Sequence, residues 1–185
     1  HYRLSIHLIT AFIIISIIFW LIKNIVSKNN KFFFNLSNNN LPFLILILLI
    51  FIQVIMGAFV SGLDAGKIYQ TWPRMNNNFF PDDVILDNLM IILNFDNPSL
   101  VQYYHRNLAY LIIFYVIILS IFIFKKKHEV LYKPLKILLF VVCLQVILGI
   151  FTLTSGLNIY LASIHQITSV LLVFSALNLY FFKAK

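Results

Sequence analysis

Charge is scarce in this chain, and so is cysteine. Only 11% of its 185 residues are Asp, Glu, Lys or Arg, and just 6 are acidic. An average soluble domain carries charge at about 25% of its positions, so a cytosolic enzyme and a charge-rich disordered tail are both excluded. The single cysteine, Cys143, lies in an apolar run, which rules out an intramolecular disulfide and a disulfide-rich secreted module. No basic leader with a small-residue cleavage site opens the chain. It starts at His1, almost directly in an apolar segment, as expected of a fragment whose N-terminal part is missing.

What is present is hydrophobicity. Apolar residues make up 61% of the chain, with a mean hydropathy of +0.92. A folded chain of this size still turns most of its surface outward, so the surrounding medium must be lipid. The net charge of +8 would suggest nucleic acid on a soluble protein. Here the positions of the charges matter more than their sum, and no nucleic-acid partner is expected.

A membrane helix needs about 20 mostly apolar residues, and five stretches qualify: about 2–22, 41–61, 103–124, 134–154 and 160–182. The predicted fold is an all-α polytopic membrane protein with five transmembrane helices, the last four forming a four-helix bundle. Lys23, Lys28, Lys31, Lys125, Lys126, Lys127, Lys133, Lys136, Lys183 and Lys185 all fall on one side of the alternating spans. Asp64, Asp82, Asp83, Asp87 and Asp96 share the other. The positive-inside rule therefore predicts a cytoplasmic loop over 23–40, an extracytoplasmic loop over 62–102 and a cytoplasmic tail over 183–185.

The sequence also repeats itself. Gln53-Val54-Ile55-Met56-Gly57-Ala58-Phe59 reads against Gln145-Val146-Ile147-Leu148-Gly149-Ile150-Phe151, and Ser5-Ile6-His7 reads against Ser163-Ile164-His165. The second span thus matches the fourth, and the first matches the fifth. A duplicated four-helix unit explains both: residues 1–22 are then the last helix of a truncated first unit, and 41–182 are a complete second unit.

Three of the five histidines lie inside spans: His7, His105 and His165. Ionisable residues in lipid are costly and are functional candidates by default. Each lies near the extracytoplasmic end of its span, so the three share one depth. An isolated His would be read as a core residue bonded to a nearby carbonyl; three at one level, two of them in a repeat, point to axial coordination of a large flat metal cofactor. A tetrahedral zinc site would want more ligands. His128 reads as solvated in the Lys-rich loop, and His1 carries no argument. Gln145, Gly149 and Thr152 form one stripe, repeated by Gln53 and Gly57, and such small-residue stripes serve helix packing as readily as a cofactor wall. Arg106 is placed to pair with a propionate or to anchor the helix at the interface. In the long loop, Asp64 is a candidate cap, and Tyr69 and Trp72 suit an interfacial belt.

Gly62-Leu63-Asp64-Ala65-Gly66, Thr71-Trp72-Pro73-Arg74-Met75, Val101-Gln102-Tyr103-Tyr104-His105-Arg106 and His165-Gln166 together resemble haem A synthases of the bacterial and mitochondrial type. Tyr2-Arg3-Leu4 followed by His7 matches that family's fourth helix, and the likeness covers essentially the whole chain. The resemblance implies eight spans in two pseudo-symmetric halves, of which this chain is spans four to eight. It implies an oxidoreductase that converts the methyl group of haem O to the formyl group of haem A. His105 and His165 would hold the iron of a haem b cofactor, with Arg106 beside it, and His7 would serve the substrate haem. The family's glutamate lies in the missing part and the matching position here is Gln102, so this chain alone is not expected to be active. The implied setting is a bacterial plasma membrane or mitochondrial inner membrane, with the C-terminus cytoplasmic or matrix-facing. Haem O synthase and terminal oxidase assembly factors are candidate partners, and a homo-oligomer is a candidate state. Two alternatives stay open: a bis-His b-type cytochrome that only transfers electrons, and a non-haem subunit whose histidines relay protons.

Overall fold

The computed structural model describes residues 1–85 and 89–184. Asp87 and Lys185, counted above among the charges, lie outside the described residues. Five α-helices dominate: α1 (Tyr2–Val26), α2 (Leu41–Gly62), α3 (Pro98–Lys125), α4 (Tyr132–Thr154) and α5 (Ile159–Lys183). Their lengths run from 22 to 28 residues, and even the shortest rises about 33 Å at 1.5 Å per residue, enough for the hydrocarbon layer. Among the described residues there are no strands, only an isolated Met75–Asn78 bridge. The outward faces are apolar: Ile14, Phe114 and Phe140 are 53%, 62% and 68% exposed. Such faces require lipid around them. The chain is an integral membrane protein.

The helix ends show where hydropathy alone misplaced the boundaries. α3 begins at Pro98, five residues before the expected 103, because Asn97 caps it: its Oδ1 accepts the Leu100 N–H at 3.1 Å, and proline fills the first position. The polar first turn, with Ser99 and Gln102, hides this start from a hydropathy window. Asn158 caps α5 through the N–H groups of Tyr160 and Leu161. The Asp64 side chain, by contrast, makes no cap for the short helical turn Ala65–Lys67. Asp64 takes a left-handed backbone (φ 52°) and its carboxylate pairs with Lys67 at 3.0 Å.

Packing is uneven along the bundle. The main core joins Phe12 and Trp20 of α1, Phe43, Leu46 and Ile50 of α2, Ile112, Val116 and Leu119 of α3, Leu135 and Leu138 of α4, and Leu177 and Tyr180 of α5. They lie from mid-span toward the Lys-rich end. Lys31 closes that end by donating from Nζ to the carbonyls of Phe181 (2.9 Å) and Ala184 (2.5 Å), covering carbonyls that the end of α5 leaves without helical partners. Among the described residues a smaller second cluster, Met56, Phe59 and Val101, lies in the histidine half.

Candidate functional site

His7, His105 and His165 each fall in the second or third turn from the same end of the bundle, as their spacing predicted. The structure brings two of them together. His105 and His165 both turn inward and lie within electrostatic range of each other. His7 stands on an exposed face of α1.

Each of the paired histidines rests against a glycine of the preceding helix. The Cε1 atom of His105 lies 3.3 Å from where a Cβ on Gly57 would stand; that of His165 lies 3.2 Å from the corresponding point on Gly149. Four residues before each glycine, on the same helix face, a glutamine reaches the main chain of the same histidine. Gln53 Nε2 donates to His105 O at 3.1 Å, and Gln145 Nε2 donates to His165 O at 3.2 Å. The small-residue stripe is therefore a pair of equivalent fittings, one per repeat.

The buried polar atoms left without partners gather at this end. Among the described residues they are His105 Nδ1, His165 Nδ1, Gln53 Oε1, Gln102 Oε1, Arg106 Nε and Thr152 Oγ1, while His1 Nε2 nearby pairs with Asp96 Oδ1 at 3.2 Å. Native interiors satisfy nearly all such groups, so their concentration marks a place built for a polar or metal-bearing guest. Among the described residues no three His, Cys, Asp or Glu side chains converge as a metal site. Two imidazoles without further protein ligands suit a metal that arrives with four equatorial nitrogens of its own, which is haem. The residues present fit the group. A cavity of about 510 Å³ opens at the opposite end, beside Lys31, Lys127 and Lys183. It holds none of these ligands and plays no part in this site.

The long loop folds down onto α3 beside the pair. Tyr69, expected at the interface, is instead buried at 3% exposure. Its hydroxyl donates to Asp83 Oδ1 at 2.7 Å and accepts the Asp82 N–H at 3.0 Å. Ser99 Oγ donates to Asp83 Oδ2 at 2.6 Å. Burial works against the Asp83 carboxylate, but the bonds from Ser99, Tyr69 and its own backbone outweigh it and hold the group below the usual carboxylate range. Gln102 Nε2 donates to Tyr69 O at 2.8 Å. Arg106 gives Nη2 to Tyr69 O at 2.7 Å and Nη1 to Thr71 O at 2.9 Å. So Arg106, read from sequence as a propionate partner, has these donors turned to loop carbonyls, with Nε left over. Sequence reasoning missed Tyr69, Asp83 and Ser99 as one network, because their partners lie 14 to 37 positions apart and no local pattern joins them.

Fold and site together define a polytopic α-helical membrane protein with two duplicated histidine seats at one end of its bundle. A family model described as cytochrome oxidase assembly protein matches residues 1–177. The chain belongs to that family, the haem A synthase family to which its motifs point. It is 46% identical over 180 residues to a haem A synthase of Pelagibacter ubique, covering 95% of this chain and 51% of that protein. It is 36% identical to the haem A synthases of Rickettsia africae (98% of this chain, 54% of the relative) and Wolbachia pipientis (96% and 49%). The chain thus spans about half the length of the curated relatives it matches. No solved structure matches it.

Proposed function

We propose that this chain is the cofactor-bearing half of a haem A synthase, in which His105 and His165 would hold a haem b. The observation that carries this is the duplicated seat: the two inward histidines are gripped alike at one depth, by Gln53 with Gly57 and by Gln145 with Gly149. Bound there, haem b supplies one-electron redox chemistry. The chain's own residues do the holding. Gln53 and Gln145 hold the two histidines by their main chain, and Arg106 and Gln102 pin the long loop beside them.

The substrate is haem O, oxidised at a methyl group to the formyl of haem A, in the protein made from the whole gene. His7 serves that substrate haem from α1, the last helix of the other unit, while residues 41–182 form the cofactor unit. Its place on an exposed face of α1 supports this division. The protein sits in a bacterial plasma membrane or mitochondrial inner membrane with its Lys-rich end on the cytoplasmic or matrix side. Haem extraction and chromatography from cells with and without the gene tests the reaction. Loss of haem A with accumulation of haem O on deletion is expected; haem A unchanged by deletion contradicts it.

A further inference from the structure

The cavity of about 510 Å³ at the Lys-rich end takes Lys31, Lys127 and Lys183 into its wall, with His128 beside them and one carboxylate, Glu129. Among the described residues the two ion pairs, His1 with Asp96 and Lys67 with Asp64, both lie at the histidine end, so none of the cavity lysines has a carboxylate partner. Lys31 is held firmly by its main chain. Trp20 Nε1 donates to its carbonyl at 3.0 Å, and its own N–H donates to Asn24 Oδ1 at 2.8 Å. Its ammonium gives two of three N–H groups to the carbonyls of Phe181 and Ala184, which leaves one donor and the whole positive charge. Lys23 brings a second ammonium to the same place: Lys23 Nζ and Lys31 Nζ lie 5.1 and 4.8 Å from the centre of one ring, that of Phe181. Burial, and after it the charge of Lys23, lower the Lys31 pKa from its ordinary value. The positive-inside bias accounts for lysines at this end of the bundle. It does not require three of them around one recess.

We propose that this cavity binds the phosphate headgroup of an anionic phospholipid, with Lys31, Lys127 and Lys183 as its counter-charges. Basic pockets at the ends of membrane helices suit acidic headgroups, and a phosphate accepts strong, charge-assisted bonds from ammonium groups. Place and lining select a lipid over a free phosphate. The cavity sits where α3 and α5 end, at the edge of the hydrocarbon layer. Val130 and Phe182 line it too, and both are exposed apolar side chains, which give acyl chains a path that an inorganic ion does not need. A headgroup there ties the loop that carries Lys31 to the turn after α3 and to the end of α5. None of these residues belongs to the histidine site, so lipid binding here does not depend on the haem reading.

The test titrates the purified whole-gene protein in detergent with dioleoyl phosphatidylglycerol, dioleoyl phosphatidylcholine or inorganic phosphate, and counts bound molecules by native mass spectrometry. Lys127→Gln with Lys183→Gln removes two cavity lysines. Lys133→Gln with Lys136→Gln removes the same charge from exposed positions at the start of α4, outside the cavity. Lys31 is left in place because it also covers the carbonyls that end α5. The parent protein is expected to hold one phosphatidylglycerol more tightly than phosphatidylcholine. The cavity pair of substitutions should weaken that binding about thirtyfold, about fivefold for each lysine, while the α4 pair should bind as the parent does. If the cavity pair fails to fold, Lys183→Gln alone should still weaken binding about fivefold. Equal affinity for the two lipids, or equal losses in the two paired variants, overturns the proposal, because a diffuse basic surface would then account for the binding. Inorganic phosphate that displaces phosphatidylglycerol at equal concentration overturns the lipid as occupant.

Discussion

Arg106 follows His105 directly in the chain, and its guanidinium holds Tyr69, 37 residues back, by the carbonyl at 2.7 Å. The helix that presents one candidate ligand is therefore the helix that pins the long loop. Any force that lifts the loop pulls on the turn of α3 that carries His105.

Arg106→Lys should release the loop. A single ammonium cannot reproduce a fork that reaches the carbonyls of Tyr69 and Thr71 together. The loss should be about 1–3 kcal/mol of loop docking, read as a fivefold or greater rise in the rate of tryptic cleavage after Arg74. Wild-type cleavage rates in the variant would show that the loop is held by something else.

Docking of the loop should also depend on pH through Asp83. Its carboxyl titrates below the usual carboxylate range when docked, so its contribution is present above the ordinary carboxylate pKa and is lost as pH falls through the docked-state value. Hydrogen exchange at the Asp82 and Asp83 amides, corrected for intrinsic rates, should stay slow from neutrality to about pH 5 and rise below about pH 4. Ser99→Ala removes the bond to Oδ2 and should move that loss to higher pH. Asp83→Asn should show no such transition, and a transition that survives in Asp83→Asn would assign it to another group.

Much of this architecture was legible in the sequence. Five apolar runs became five helices, the lysines gathered at one end, and the Gln–Gly repeat foreshadowed two equivalent histidine seats. These are periodic or compositional signals that a membrane enforces strictly. Illegible were contacts between distant positions: Tyr69 with Asp83 and Arg106, or Lys31 with the carbonyls that end α5. Hydropathy also cut α3 short, because a polar first turn capped by Asn97 looks like loop.

The lysine distribution predicts an orientation that has a simple check. A reporter fused after Lys185 should read as cytoplasmic, and one inserted near Asn77 as extracytoplasmic. The reverse at both sites would place the histidine end on the cytoplasmic face.

The identity of the ligands is decided by one measurement: the reduced-minus-oxidised spectrum of the purified whole-gene protein, with haem per polypeptide by pyridine haemochrome, across single His→Ala variants. A low-spin b-type signal should be abolished or turned high-spin in His105→Ala and in His165→Ala. It should persist in His128→Ala and in His7→Ala, the latter losing only conversion of haem O. An unaltered low-spin signal in His165→Ala, or loss of the b-type haem in His7→Ala, would contradict the pairing of His105 with His165.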